Sequence, residues 1–318
     1  MSVSASALSV SFSRPGVLMQ ANYPDVLDAR MAFVNRRKWN EPLEGLKYWN
    51  QKNTNRAYEK HSYVAGGSIV PKAGDVDAVP LMHVTPGYDN TYTPINYKLG
   101  IRITREMRET DLYSVIDQHM EDLNQSARNT LEQYAALPFN TTFGTSAEWV
   151  CADGMYLCDS ARNQELKSAG SWSNLETGGA LSQAAIATMR LNFRKNKNEN
   201  GILRPLTMEK VIIPADLEDL TITNMLTVLK PGTSINDTNF LTRYGLSYEV
   251  WNYLTSTAAW FGKAKASDPN ELFWYWRVRP EVTRYDVGNN PDVDAYRIRM
   301  SFVTGADRPC CVRGNAGS

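Results

Sequence analysis

The residues best placed to do chemistry are Asp117, His119 and Glu121, the nearest thing to an acid–base cluster in this chain of 318 residues. On a helix, positions 117 and 121 stand one turn apart and share a face. That face is the polar one, so a solvated helix surface explains the trio better than catalysis. Cys151 and Cys158 are seven positions apart and Cys310 and Cys311 are adjacent. Neither spacing suits a metal pair, and with three scattered histidines no zinc site is expected. The sequence contains no Gly-x-Ser-x-Gly elbow, phosphate-binding loop, Rossmann glycine signature or His-Glu-x-x-His. Asn140 and Asn236 open Asn-x-Thr triplets, which accept glycans only in a secreted protein. Arg190, Arg194, Lys195 and Lys197 cluster near the C-terminal end of a predicted helix, where cations are favoured, and read as a solvated helix end rather than a nucleic-acid patch. No catalytic, cofactor-binding or metal-binding residue is expected, and a chain this long without a site looks like a building block.

Composition narrows the reading further. Lysine plus arginine equals aspartate plus glutamate, 34 each, so no global basic field drives sequence-independent nucleic-acid binding. No apolar run is long enough to span a membrane. The start, MSVSASALSVSFSR, lacks the basic region and long apolar core of a secretory signal. The expectation is a soluble protein made in a reducing cytoplasm, long enough to divide into two domains or lobes.

The element that must organise such a chain runs from Thr110 to Pro138. Leu112, Ile116, Met120, Leu123, Ala127, Leu131 and Tyr134 recur in steps of three and four, one stripe on one helical face. Asp117, Glu121, Asp122, Gln125, Arg128, Asn129 and Glu132 fall on the opposite face. Thr110 reads as the N-cap, Asp111 complements the positive helix end, and Pro138 stops propagation. A helix over 111–137 would be about 40 Å long, a spine against which sheet and arms must lie.

Around the spine, residues 1 to 22 are serine-rich and weakly patterned, the composition of an arm. A short helical region follows from Pro24, and Trp39, Tyr48 and Trp49 read either as anchors of the arm on another surface or as local packing. Four glycines and four prolines between Gly66 and Pro94 deny that segment a core of its own. Strand-like pieces flank it: AYEKHSYV before, and Tyr97, Leu99, Ile101 and Ile103 alternating with Lys98, Arg102 and Thr104 after. The economical reading is a long two-stranded excursion with Pro71, Lys72, Gly74, Asp75 and Asp77 at a tip almost devoid of apolar mass. A two-stranded ribbon is marginal alone, so it needs another surface, most naturally a neighbouring subunit.

Downstream, Leu181, Ala185, Ile186, Met189 and Phe193 predict a helix that Asn200-Gly201 ends. KVIIP reads as a short buried strand and ADLEDLTITNMLTVL as a helix with an acidic first turn, together an α/β unit. In the last strand Tyr296, Ile298, Met300 and Phe302 alternate with Arg297, Arg299 and Ser301, and residues 271–303 are expected to form a hairpin.

The order of these pieces resembles the major capsid proteins of tailed bacteriophages, in particular the Mu-like major head subunits. The similarity is carried by Asp153-Gly154-x-x-Leu157, Ser173-Asn174-Leu175 and the helix from Leu181. It continues through Gly201, Arg204-Pro205-Leu206, Val211-Ile212-Ile213-Pro214 and the helix start Ala215-Asp216-Leu217-Glu218. Tyr253-Leu254, Ala259-Trp260-Phe261, Tyr296-Arg297-Ile298-Arg299 and Gly305-Ala306-Asp307-Arg308 complete it. The chain departs from the pattern at Cys158-Asp159-Ser160 and at Arg308-Pro309-Cys310.

The resemblance implies an α+β, Hong Kong 97-like phage capsid fold. Its parts would be an N-terminal arm at 1–54, an extended loop at 55–105, a peripheral domain at 106–184 with the spine helix 111–137, an axial domain at 185–265, and return strands of the peripheral domain at 266–318. Subunit contacts are expected at Trp39, Trp49, Pro71, Lys72, Asp75, Asp77, Arg102 and Arg105. The implied function is a head protein, not an enzyme and without cofactors. It would assemble as hexamers and pentamers in the host cytoplasm into an icosahedral shell around double-stranded DNA. A separate scaffolding protein, a portal and decoration proteins are the expected partners, with no sequence-specific DNA binding and no membrane. The alternatives are an encapsulin-type nanocompartment shell and, further off, a hydrolase with a site assembled from distant residues.

Overall fold

The computed structural model describes residues 37–39, 41–64, 69–74, 79, 81, 86–110, 115–144, 148–163, 171–197, 201–230, 237–285 and 292–317. The N-terminal arm up to residue 36, the tip residues Asp75 and Asp77, and the predicted helix-start residues Asp111 and Leu112 lie outside them. The chain falls into two compact units. One comprises residues up to Pro42, Leu99–Ser126 and Val282–Ile298, and the other Leu43–Lys98, Ala127–Glu281 and Arg299–Ser318.

The strands in chain order are β1 (Asn50–Asn53), β2 (Glu59–Val64), β3 (Pro86–Tyr92) and β4 (Ile95–Thr104), followed by helix α1 (Arg105–Thr110) and the spine α2 (Val115–Thr141). Short strands β5 (Arg162–Asn163), β6 (Ser171–Trp172) and β7 (Leu175–Glu176) lead to α3 (Gln183–Arg194), β8 (Met208–Ile213), α4 (Glu218–Met225), β9 (Ser247–Val250) and β10 (Trp260–Ala264). The long strands β11 (Leu272–Tyr285) and β12 (Val293–Ala306) and the short β13 (Val312–Asn315) close the chain. A four-stranded sheet has the order β1-β11-β12-β4 and a five-stranded one the order β7-β13-β10-β8-β9, beside the two-stranded β2-β3 and β5-β6. The expected neighbours β11 and β12 are adjacent in the sheet.

The spine stripe is where its periodicity placed it: Ile116, Met120, Leu123, Ala127 and Leu131 are all buried. Three features differ. Pro138 lies inside the helix, which continues to Thr141. Proline's missing N–H costs only one bond close to the helix end, and the hydroxyls of Thr141 and Thr142 donate to the carbonyls of Leu137 and Pro138, at 2.9 and 2.6 Å. Thr110 ends α1, its hydroxyl donating to the Glu106 carbonyl at 2.6 Å, and does not cap the spine. The face expected to be polar is also not all solvated, because Arg128 and Glu132 are buried.

In the larger unit aromatic rings fill the core. Phe302 stacks on Trp274 and Tyr97 with centroids 4.6 and 4.7 Å apart, and meets Tyr134 and Trp276 edge-on. Ser301, on the polar side of the β12 alternation, is buried as well. The five-stranded sheet holds the predicted α/β unit: β8 and β9 pair in parallel, Lys210 opposite Ser247, with α4 in the connection. Ser182 caps α3 by accepting the Ala185 N–H at 3.2 Å, and Ile186, Met189 and Phe193 form its buried stripe. This helix ends at Arg194, short of Gly201, whose positive φ of 76° turns the chain further on.

Among its described residues, the stretch between the spine and α3 has only the short strands β5, β6 and β7, and a polar hub holds it. Arg162 is fully buried. Its guanidinium donates to Asp153 at 2.6 Å, to Asn174 at 3.1 Å, to the Leu157 carbonyl at 2.9 Å and to the Tyr156 carbonyl. Asn174 extends the hub by donating to the Leu157 and Val312 carbonyls. Arg162→Met would leave the buried Asp153 carboxylate without its ion pair and the Tyr156 carbonyl without its guanidinium donor, while Leu157 keeps Asn174. It is expected to lower unfolding stability by about 3–5 kcal/mol in a denaturant titration.

Candidate assembly surfaces

Several of the residues singled out for chemistry are held in structural contacts. His119 is exposed on the spine, and Glu121 is ion-paired to Arg37. Asn140 donates to the Tyr253 carbonyl and accepts from the Thr255 N–H, so its amide is a structural bridge. Arg190 lies flat on Tyr244, 3.7 Å from the ring centroid. All four cysteines are buried free thiols. Burial pushes the thiols of Cys151 and Cys310 up to about 12, and that of Cys158 upward too, the opposite of nucleophilic activation. Among the described residues no group of histidine, cysteine and carboxylate side chains is placed to hold a metal, and no helix is long and apolar enough to cross a membrane. A cleft of about 480 Å³ lies between Thr142–Gly144, Cys158–Ser160 and Leu175–Gly179. Its ionisable groups are occupied: Asp159 accepts the Ala161 N–H, and Glu176 is held by Arg313 and Asn192.

The ribbon is the first surface of note. β2 pairs antiparallel with β3, Glu59 opposite Tyr92 and Ser62 opposite Asp89. The excursion is two-stranded as expected, but its return strand is PGYDNTY; the Tyr97–Thr104 stretch instead belongs to β4 in the four-stranded sheet. Pro86 is tolerated because it is the first residue of its strand. At the ribbon's base His61 sits between Asp307, at 2.8 Å, and the Tyr275 hydroxyl, while Tyr92 donates to the other Asp307 oxygen at 2.7 Å. The Tyr92 ring lies against Gly305, where any Cβ would fall 2.0 Å from it, so glycine alone allows this seat. Tyr92, Phe273 and Tyr275 with Val303 make a small core of their own.

Beyond this base the side chains lose their cover. Pro71, Lys72 and Gly74 are exposed. So are Ile69, Val70, Val79 and Leu81, the last at 92 %. The tip region therefore carries apolar mass that the reading of its glycines and prolines passed over. Isolated exposed apolar residues need no explanation, but four bulky ones within one short segment beyond the ribbon's base are unusual.

A second exposed group lies in the segment of α4 and the loop after it, where Leu220, Ile222, Leu226, Val228, Leu229, Phe240 and Tyr244 all face solvent. α4 packs Thr221, Asn224 and Met225 inward and leaves its other faces bare.

The root of the arm is fixed more firmly than the sequence suggested. Glu132 on the spine accepts the N–H groups of Glu44 and Gly45, the latter at 2.8 Å. A Cβ on Gly45 would stand 2.5 Å from the Trp251 ring and 2.8 Å from Ala135, so only glycine brings the backbone this close. Burial raises the Glu132 carboxyl above its ordinary range, partly countered by those two N–H bonds. Tyr48 donates to Glu249 at 2.6 Å, and Lys47 and Lys210 bind the same carboxylate at 2.9 and 2.7 Å. Burial pushes Glu249 upward, but Lys210, Lys47 and Tyr48 outweigh it and hold the carboxyl down at about 2. A depressed folded-state value means this stabilisation is complete above the ordinary 4.5 and fades as pH falls towards 2. Glu249→Gln is expected to lower the melting temperature at neutral pH and to flatten its fall across that acid window.

The predicted contact residues thus divide. Trp49 is buried in its own subunit, edge-on to Trp149 and Trp274. Trp39 is half-buried and donates to Asn124 at 2.9 Å. Arg102 is exposed, and Arg105 is exposed with partners Glu109 and Asp292.

A long spine helix, a two-stranded excursion and an α/β lobe are the parts of the Hong Kong 97-like capsid fold. Solved structures agree. The capsid of cyanophage P-SCSP1u matches with a TM-score of 0.55 at 10 % identity, over 84 % of this chain and 86 % of that one. The procapsid of bacteriophage JBD30 matches at 0.51 and 11 % identity, over 93 % and 75 %. The holo-SrpI encapsulin complex of Synechococcus elongatus matches at 0.51 and 9 % identity, over 87 % and 86 %. No curated protein sequence matches. Residues 88–314 fit the family model described as phage capsid protein, and the chain belongs to that family.

Proposed function

We propose that this major capsid protein assembles as hexamers and pentamers into an icosahedral shell around double-stranded DNA, as the Mu-like head subunits do. The observation that carries the reading is the family match over 88–314 on a fold whose ribbon ends in uncovered apolar side chains. Arm 1–54, loop 55–105, peripheral domain 106–184, axial domain 185–265 and return strands 266–318 are the working divisions. The ribbon tip, with Ile69, Val70, Pro71, Lys72, Val79 and Leu81, lies over a neighbouring subunit. The bare faces of α4 meet their copies around the capsomer axis, and Trp39, Arg102 and Arg105 lie at further contacts. Assembly takes place in the host cytoplasm with a separate scaffolding protein, a portal and decoration proteins, and the subunit performs no catalysis.

Equal numbers of cationic and anionic side chains fit a wall that encloses DNA without gripping it. Particles from the native source are expected to contain DNA protected from nuclease, while isolated subunits bind DNA weakly and lose it as salt rises. Nanomolar DNA binding by isolated subunits at physiological salt would contradict the reading. The likeness to an encapsulin supports a second reading, a nanocompartment shell. Native particles filled with an enzyme and free of DNA would establish it.

A further inference from the structure

Lys263 on β10 is a buried lysine with an unusual set of neighbours. Its ammonium stands 3.2 Å from the Cys311 sulfur and donates to the Asn270 side-chain oxygen at 2.9 Å. The Cys311 thiol reaches the same oxygen, at 3.3 Å. Asn270 is fixed in turn, its amide donating to the Tyr48 carbonyl at 3.0 Å while its oxygen also accepts the Leu272 N–H. The frame around the pair is tight. Lys263 lies opposite Val312 in the β10–β13 ladder, and the Ala264 N–H binds the Cys311 carbonyl at 2.8 Å. Both side chains are more than nine-tenths buried, at 7 % and 2 % exposure. No carboxylate is ion-paired with Lys263 among the described residues. An amine and a thiol are therefore held in register, nearly in contact, with one acceptor between them.

We propose that Lys263 and Cys311 are a redox-sensitive covalent staple, closing under hydrogen peroxide into a nitrogen–oxygen–sulfur bridge. The first peroxide oxidises the thiol to a sulfenic acid and leaves as one water. The ammonium gives its extra proton to solvent, and the second peroxide takes the two electrons released as the sulfenic oxygen bonds to the resulting amine; one N–H and the O–H are lost, and two waters leave. The sum is thiol, amine and two peroxides in, bridge and three waters out. The separation of 3.2 Å leaves room for a single oxygen atom after a small contraction. The bridge would tie β10, the central strand of the five-stranded sheet, to the segment that leads into its neighbour β13. Reduction by a thiol reopens it, so the staple stays open in a reducing compartment and closes in an oxidising one. This inference concerns the subunit alone and stands or falls independently of shell formation.

The test is intact-mass and peptide-mapping spectrometry of the full chain after hydrogen peroxide. Gain of one oxygen and loss of two hydrogens adds about 14 Da, and dithiothreitol should reverse it. Fragmentation should place the link between the peptides carrying Lys263 and Cys311, and Lys263→Arg and Cys311→Ser should each abolish it. The mapping on the unsubstituted protein decides the matter even if either variant folds poorly. Gains of only about 16 or 32 Da on Cys311, the sulfenic and sulfinic products, would overturn the proposal. A link to another residue, or one that survives in Lys263→Arg, would overturn it equally.

Discussion

Leu131→Asp is expected to abolish soluble folding. Leu131 is fully buried in the spine's stripe. A carboxylate there has no partner on that face, and the cost of burying it unpaired amounts to several kcal/mol. That is a large part of the 5–15 kcal/mol by which a domain of this kind is typically stable. The protein should appear in the insoluble fraction, or lose its cooperative melt if any is recovered. Glu121→Ala, on the same helix but in an exposed ion pair with Arg37, should change stability by no more than about 1 kcal/mol. A soluble, cooperatively melting Leu131→Asp protein would mean that the buried face of the spine is wrongly placed.

The second large effect is on assembly and leaves folding intact. Replacing residues 66–85 by a short glycine-serine linker removes the exposed Ile69, Val70, Val79 and Leu81. It keeps β2, β3 and the base formed by His61, Tyr92, Tyr275 and Asp307. The removed side chains contribute little to their own subunit, and loop length alone alters closure entropy by less than about 1 kcal/mol. Far-ultraviolet circular dichroism and the melting temperature of the subunit should stay close to those of the parent, while sedimentation shows no closed particles. Normal shells would show that the ribbon tip is not an assembly contact. Loss of the subunit fold would show that the tip packs within its own chain.

Much of this was legible in the sequence because periodicity reports burial directly. The spine stripe, the α3 stripe and the buried KVIIP strand needed only the spacing of apolar residues. What the spacing could not show was the partner. Arg128 and Glu132 fall on the polar arc of the helical wheel, yet Glu132 is buried by backbone from residues 44 and 45, some ninety positions upstream. The ribbon's return strand was misplaced because two alternating stretches follow its tip, and only three-dimensional pairing selects PGYDNTY over the β4 residues. Trp49 had an aromatic anchor's composition, but Trp149 and Trp274, distant in sequence, enclose it. Arg162 gave no signal at all, since only the folded loop brings Asp153, Asn174 and the Tyr156 and Leu157 carbonyls around it. The Lys263–Cys311 pair is similarly hidden, because two strands paired across almost fifty residues bring it together.

Electron cryo-microscopy of the full chain, expressed alone and with the proposed scaffolding protein, tests the central claim most directly. The expected result is closed icosahedral particles of hexamers and pentamers, with each ribbon seated on a neighbouring subunit and the bare faces of α4 around the capsomer centres. A chain that stays folded but monomeric under those conditions, with no particle in either the sedimentation profile or the images, would contradict it.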